Sequence, residues 1–536
     1  MGAVAMSVAY WLNSAWMLAS MPSALAFHRA TSRVQTTQTA LLFGMLHANR
    51  DTEFGRRHQF ASIKTTGDYQ ERIPLAPYDD LANDIVRIAA GESNVLTRAP
   101  VTLLEPTSGS SGGEKLIPYT KELQRQFQRA IRPWIANLLR QRPALRGGRA
   151  YWSISPAFGE RRVSPGGIAI GFDDDTAYLG FFERFAAARV LAIPSSVARS
   201  SDLESFRYAT LLHLLQADDL TLVSIWNPTF LTALLQPLDH WLDRLVYDIQ
   251  GRDRVRADQI ARIMDNGGTR AEQLRELWPR LRLISCWTDA AAGSFVPELR
   301  RLFPHVEIQP KGLLATEGFV SLPLFDAPGA ALAIRSHFFE FQEVNGTTCR
   351  LAHEVEGGGR YGVVITTAGG LYRYQLRDEV EIVGFLKQCP LLRFLGKADL
   401  VSDLVGEKLA EPFVRLALER VWRTREVVPR FALLVPMRGA LPGYRLILQG
   451  IPASAHLQED VQRALEENPH YRYACGIGQL APVEIHALNG EDGWQLYERG
   501  CVARGQKLGN IKPVALDPRP GWDEVFQITC ATTDQR

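Results

Sequence analysis

Short apolar runs alternating with long helix-spaced stretches limit what this chain can fold into more than any other feature. "LTLVSIW" (Leu220 to Trp226), "LRLISCW" (Leu281 to Trp287) and "GVVITTA" (Gly362 to Ala368) read as buried strands. Between the first two, segments such as "FLTALLQPLDHWLDRLVYDI" (Phe230 to Ile249) carry apolar residues at helical spacing. Strand and helix in alternation predict an α/β architecture. A second regime starts near Asp399. There "RFALLVPM" and "GYRLILQG" form a hairpin pattern, "AHLQEDVQRALEEN" an amphipathic helix and "VEIHAL" a strand, a small α+β domain of its own. In a chain of 536 residues one core stops growing, so two domains are expected, residues 1–398 and 399–536. No repeat or low-complexity linker marks the boundary, which rests on the change of pattern.

Charge excludes some partners. Lys+Arg at 60 against Asp+Glu at 58 gives a formal net charge of +2, so no single-sign field points to nucleic acid or an anionic membrane. Cys286, Cys349, Cys389, Cys475, Cys501 and Cys530 are scattered without a C-x-x-C pair, which fits a reducing, cytoplasmic setting. The first residues, "MGAVAMSVAYWLNSAWMLASMPSALAFHRA", hold no acid or strong base before Arg29, and Ala24-Leu25-Ala26 resembles a signal-peptidase site. A positive n-region is lacking, however, and Asn13, Ser14, Ser20 and Pro22 interrupt the apolar stretch. Residues 1–34 are therefore read as an apolar helical extension lying across the main domain, with no membrane expected as partner.

The densest chemical signal is "EPTSGSSGGEKLIPYT" (Glu105 to Thr120), with four Ser/Thr and three Gly between Thr107 and Lys115. A Walker A loop counted from Gly109 would need Gly where Glu114 stands and Ser or Thr where Leu116 follows Lys115, so the match fails. The composition still suits a phosphate, because glycines admit close backbone approach, exposed N–H groups form a nest and hydroxyls add donors. A connecting surface loop is the alternative on composition alone. Further on stand "GLLATEG" (Gly312 to Gly318), "GGLYRYQLRDEVEIVGF" (Gly369 to Phe385), "LRFLGKADLVSDLVGEKL" (Leu391 to Leu409) and "GQKLGNIKP" (Gly505 to Pro513).

That order, a Ser/Thr/Gly loop, Thr-Glu, Asp, Gly-Lys-x-Asp and a distant lysine, resembles the adenylate-forming superfamily of acyl-CoA synthetases, nonribosomal adenylation domains and firefly luciferase. The chain is most similar to the acyl acid–amido synthetases, the auxin-responsive (Gretchen Hagen) family of plants and its bacterial relatives. "NRDTEFGRRHQF", "RIPLAPYDDLANDIVRIAAGE", "YWSISP", "GGIAIGFDDDTAYLG", "ISCWTDA" and "HFFEF" carry the likeness as well. It implies a large N-terminal adenylate-forming domain of mixed sheets and helices, followed by a smaller mobile C-terminal domain.

The resemblance also implies roles. Thr107, Ser108, Gly109, Ser110, Ser111, Gly112 and Gly113 would wrap the triphosphate of ATP, with Lys115 as the charged loop end. Thr316 would meet the α-phosphate region and Glu317 would hold Mg²⁺. Asp378 would accept both ribose hydroxyls. Tyr372 and Tyr374, two apart, would share one face, and one of them would line the nucleotide site unless both are core. Lys397 stands in place of a family arginine, Asp399 in place of the hinge, and Lys512 (or Lys507) in place of the lysine that stabilises adenylation. Three positions depart from the family pattern: Leu313 for Tyr, Arg377 for Gly, and Lys397, a point charge for a guanidinium. His213 or His337 could deprotonate an amine, but a core or surface histidine is the simpler reading of each.

The implied reaction has two halves. ATP and a carboxylic acid give an acyl-adenylate; then an amine, an amino acid by the resemblance, takes the acyl group and AMP leaves. A thioester ligase sharing the first half-reaction and a non-catalytic nucleotide-binding protein remain as alternatives. A monomer is the default expectation, and the acid is not identified.

Overall fold

The computed structural model describes residues 7–108, 114–153, 162–171, 189–200, 202–344, 346–397, 400–405, 407–438, 441–476, 478–490, 492–506 and 511–528. Two compact units divide the chain: residues up to Thr288 with Pro297–Phe394, and Asp289–Val296 with Leu395 onward.

Three sheets build the first unit. One is parallel, in the order Arg149–Trp152, Leu220–Ser224, Leu283–Cys286, Glu307–Pro310. Every residue of Leu220–Ser224 and Leu283–Cys286 is buried, as expected of parallel strands covered on both faces. The long apolar connection after Leu220–Ser224 forms two helices, Pro228–Leu235 and Leu238–Gln250, with Pro237 between them. A second sheet of seven strands runs, in spatial order, Cys349–Leu351, Phe338–Glu343, Arg360–Thr366, Tyr374–Leu386, Cys389–Lys397, Ala330–Leu332, Ser321–Leu322. The third pairs Val101–Ser108 antiparallel with Glu114–Thr120, and parallel with Ala169–Ile170.

The N-terminal extension is helical from Val8 to Ala30. Ser7 caps it by accepting from Tyr10 N–H at 3.2 Å. Ala9, Asn13, Trp16, Ser20, Ala24 and Phe27 form its buried stripe, and it packs along helix Lys121–Gln141. Asn13 Nδ2 donates to the carbonyl of Gly148 at 3.1 Å, which explains a polar residue on the buried side. Among the described residues no helix is long and apolar enough to cross a membrane.

The second unit carries the hairpin Phe431–Met437 and Gly443–Gln449, with Glu484–Ala487 added in parallel. Helices Glu411–Thr424 and Ala455–Leu465 bury Val414, Leu418, Leu457 and Val461 in a core shared with Leu434, Leu446 and Leu448.

Candidate active site

The Ser/Thr/Gly loop joins two paired strands, with Thr107 opposite Lys115 and Ser108 opposite Glu114. Gly109, Ser110, Ser111, Gly112 and Gly113 lie outside the described residues, as do Asp399 and Lys507. Tyr78, at the start of helix Tyr78–Ala89, underlies the hairpin. Its hydroxyl accepts from Leu116 N–H at 2.9 Å, and its ring lies 5.5 Å from Lys115 Nζ. The lysine is thus held over an aromatic face at the loop end.

Thr316 and Glu317 occupy the tip of a tight turn. Leu314 and Phe319 bridge antiparallel, and Ala315 and Gly318 exchange N–H···O bonds of 3.0 and 3.2 Å. Behind the turn sits His337, fully buried. Its Nε2 accepts from Phe319 N–H at 3.0 Å, and its Nδ1–H donates to Gln126 Oε1 at 3.1 Å. A Cβ at Gly318 would come within 3.1 Å of this imidazole and 3.2 Å of Ile365 Cδ1, so a side chain there would require both neighbours to give way. Burial pushes the pKa of His337 down to about 3, so the ring is neutral and serves as a structural pin. Gln126 Oε1 also accepts from Ala368 N–H at 2.9 Å, which ties the turn before Tyr372 to the same helix.

Two tyrosines fix the turn from the front. Tyr119 donates its hydroxyl to the Thr316 carbonyl, and Tyr374 donates to Glu317 Oε1 at 3.3 Å. Burial raises the Tyr374 phenol above its usual range, and the charges of Glu317 and Asp378 raise it further. Both carboxylates therefore bear on one phenol. Asp378, 1% exposed, lies within strand Tyr374–Leu386. The register jumps from Gly362 opposite Glu379 to Val364 opposite Gln375, so residues 376–378 bulge from the ladder.

Arg377, at the centre of that bulge, has φ +57°, a left-handed conformation that glycine adopts freely and arginine does not. Arg377→Gly is expected to stabilise the protein by about 0.5–1 kcal/mol, the strain relieved less the larger chain entropy of glycine. Denaturant unfolding tests this; a loss of stability would mean that the arginine side chain makes a compensating contact.

Tyr372 does not join the site. It is 0% exposed, stacks on Phe54 at 4.8 Å and donates its hydroxyl to the Leu96 carbonyl at 2.9 Å. Between the tyrosines Arg373 has φ +46°, which breaks the pleat; the strand begins only at Tyr374. Even spacing puts two residues on one face only where the backbone between them is extended. Leu313 is likewise buried, at 7% exposure, with its N–H on Ser321 Oγ at 2.9 Å.

Within the first unit the structure thus ties Thr316, Glu317 and Asp378 together through Tyr119 and Tyr374, with Lys115 on the strand that carries Tyr119. Tyr78 and Tyr119 were not anticipated, and only the strand alternation of "LIPYT" hinted at the second. Lys397 and Lys512 belong to the second unit. Lys397 ends strand Cys389–Lys397. The segment after Lys512 is fastened to Phe431–Met437: Leu434 N–H donates to Ala515 O at 2.8 Å and Asp517 N–H to Leu434 O at 3.0 Å. Ala515 N–H also donates to Glu411 Oε1 at 3.0 Å.

Family models match this chain twice: the GH3 family N-terminal domain over residues 24–308, and the GH3 family central domain over residues 330–397. The chain belongs to the GH3 family. Among curated GH3 relatives, the probable indole-3-acetic acid-amido synthetase GH3.1 of Oryza sativa subsp. japonica is 24% identical over 549 residues, covering 91% of this chain and 88% of the relative. The GH3.1 protein of Arabidopsis thaliana, described in the same words, is 24% identical and covers 73% and 71%. A solved GH3 structure, AtGH3.15 acyl acid amido synthetase in complex with 2,4-DB, superposes with a TM-score of 0.81 at 18% identity over 94% of this chain and 95% of that one. At that identity the match establishes the shared fold.

Proposed function

We propose that this GH3 protein is an ATP-dependent acyl acid–amido synthetase, joining a carboxylic acid to an amino acid through an acyl-adenylate. The observation that carries the reading is the set of Thr316, Glu317 and Asp378 tied through Tyr119 and Tyr374, with Lys115 on the strand that carries Tyr119. Its GH3 relatives, a probable indole-3-acetic acid-amido synthetase and an acyl acid amido synthetase by name, support it.

In this reading Lys115 meets the phosphates with its charge, and the Thr316 hydroxyl orients the α-phosphate. Asp378, buried on the strand bulge, takes the ribose diol. Glu317 would hold the divalent cation, because its carboxylate is partly exposed at a turn tip and a hard cation takes such an oxygen ligand. Such an ion neutralises charge on the departing pyrophosphate. No side-chain nucleophile is needed, because adenylation makes the carbonyl reactive toward a neutral amine. Residues 399–536 would act as a mobile domain hinged near Asp399, and the cell interior is its setting; the five cysteines among the described residues are free thiols.

The test is pyrophosphate release from ATP and Mg²⁺ across aryl, indolyl, benzoyl and fatty acids, with and without pooled amino acids. Release that depends on one acid and rises with an amino acid supports the synthetase. Stimulation by coenzyme A in place of amino acids would transfer the reading to a thioester ligase. Lys512→Ala is expected to lower adenylation by about 10²-fold or more while sparing amidation of a supplied acyl-adenylate. Equal loss of both half-reactions would remove Lys512 from the adenylation step.

A further inference from the structure

A second cluster lies at the carboxyl ends of the parallel sheet, where open α/β sheets bind their ligands. Lys311 follows strand Glu307–Pro310, and its backbone N–H donates to Cys286 O at 2.8 Å. Its Nζ donates to Ser224 Oγ at 2.7 Å and lies 5.3 Å from the ring centroid of Trp134 and 5.0 Å from that of Trp226. Two more indoles extend these walls: Trp152 stacks on Trp134 at 5.8 Å, and Trp287 meets Trp226 at 5.6 Å. Gln309 points to the same face of its strand, two residues earlier. Its Oε1 accepts from Trp134 Nε1 at 3.4 Å, which leaves its Nε2 as a buried donor.

The polar groups of this cluster are donors in search of an acceptor. Among the described residues no carboxylate pairs with Lys311, and Gln309 Nε2, on a side chain 4% exposed, has no hydrogen-bond partner. Burial lowers the lysine pKa to about 8, which leaves it mainly protonated at neutral pH. Cys286, the other titratable group acting on it, has its thiol pushed up to about 12 and stays neutral. A partly buried ammonium and a buried amide donor, walled by indoles, suit a negative charge carried on a flat apolar body.

Which anion follows from the reaction proposed above, on which this step rests. The carboxylate that is adenylated loses its charge. An ammonium paired to it would stabilise the ground state and be left unpaired afterwards. We infer that Lys311, with Gln309 and the Trp134–Trp226 walls, binds a second, permanent anionic group on the acid, so that the preferred substrates are planar acids with two negative charges, such as aromatic dicarboxylates.

The experiment uses the full chain without ATP or amino acid and follows tryptophan fluorescence and calorimetric binding of isophthalate against benzoate. Isophthalate is expected to bind about tenfold or more tightly than benzoate, and Lys311→Met to abolish that preference, with Lys311→Gln doing the same and Lys311→Arg restoring part of it. Equal binding of the two acids, or a preference that survives both neutral variants, overturns the inference. So does a separate titration in which a free amino acid, in place of the acids, binds in a way that Lys311→Met abolishes, which would move Lys311 to the acceptor's site. Since binding here needs no turnover, the two proposals fail separately. Charge preference without pyrophosphate release from any acid would sink the synthetase reading alone; acid-dependent release indifferent to charge would sink this one alone.

Discussion

Glu317→Gln is expected to reduce acid-dependent pyrophosphate release by about 10²- to 10³-fold while leaving the fold intact. The substitution keeps the shape of the side chain and removes only its charge. Glu317 sits at the tip of a two-residue turn whose backbone is fixed by Ala315, Gly318 and the His337 pin, none of which uses the carboxylate. The amide oxygen can still accept from the Tyr374 hydroxyl, now 3.3 Å from Oε1. Stability should therefore change by no more than about 1 kcal/mol, the scale of one hydrogen bond to the buried Tyr374. Single-turnover pyrophosphate release at saturating ATP and acid, beside a denaturant midpoint for the same variant, separates the two effects. A variant that keeps its rate within about threefold would show that the carboxylate holds no cation in the rate-limiting step, since a charge that organises departing phosphate cannot be replaced by a dipole at so small a cost.

Why some of this was legible in the sequence and some not has a physical basis. Strands such as Leu220–Ser224 and Leu283–Cys286 were visible because both faces are buried, so every residue is apolar or small. Thr316–Glu317 and Asp378 stood out because the proposed chemistry would need those groups in that order. Tyr372 was misleading because the φ of Arg373 is not written in its side chain, and one left-handed residue is enough to change the face that follows. At Arg377 the opposite holds: the residue type departs from the family's glycine while the backbone keeps the left-handed turn that a glycine would favour. The pin behind the Thr316–Glu317 turn was hidden for another reason. Gln126 meets His337 across 211 residues of chain and Ala368 across 242, and no local pattern encodes such a meeting. Lys311 belongs to the same class, since a lysine reads as solvated until the fold places indoles around it.

Arg373→Met is expected to cost about 3–5 kcal/mol of stability, more than any other single change considered. The pair it breaks is buried, with side-chain exposures of 8% for Arg373 and 1% for Glu340. Arg373 Nε lies 3.1 and 3.0 Å from the two Glu340 oxygens, and Nη1 donates to the carbonyls of Gln70 at 2.7 Å and Ile73 at 2.8 Å. Removing the guanidinium leaves a buried carboxylate and two buried carbonyls short of a donor, and Gln70 Nε2, 2.8 Å from Glu340 Oε1, cannot make up the charge. The double variant Arg373→Met/Glu340→Leu should recover part of that loss, because it removes the uncompensated charge but not the need of the Gln70 and Ile73 carbonyls. Activity should not recover with it. Arg373 holds φ +46° against its own preference, with its N–H on Thr366 Oγ1 at 3.1 Å, and the next residue is the tyrosine that reaches Glu317. Once the side chain that pins this turn is gone, the backbone can relax and Tyr374 shifts with it. Denaturant midpoints and pyrophosphate release measured on both variants distinguish the two roles. Stability regained without activity assigns the pair to positioning the Thr316–Glu317 turn, whereas activity returning in step with stability would reduce it to a brace for the core.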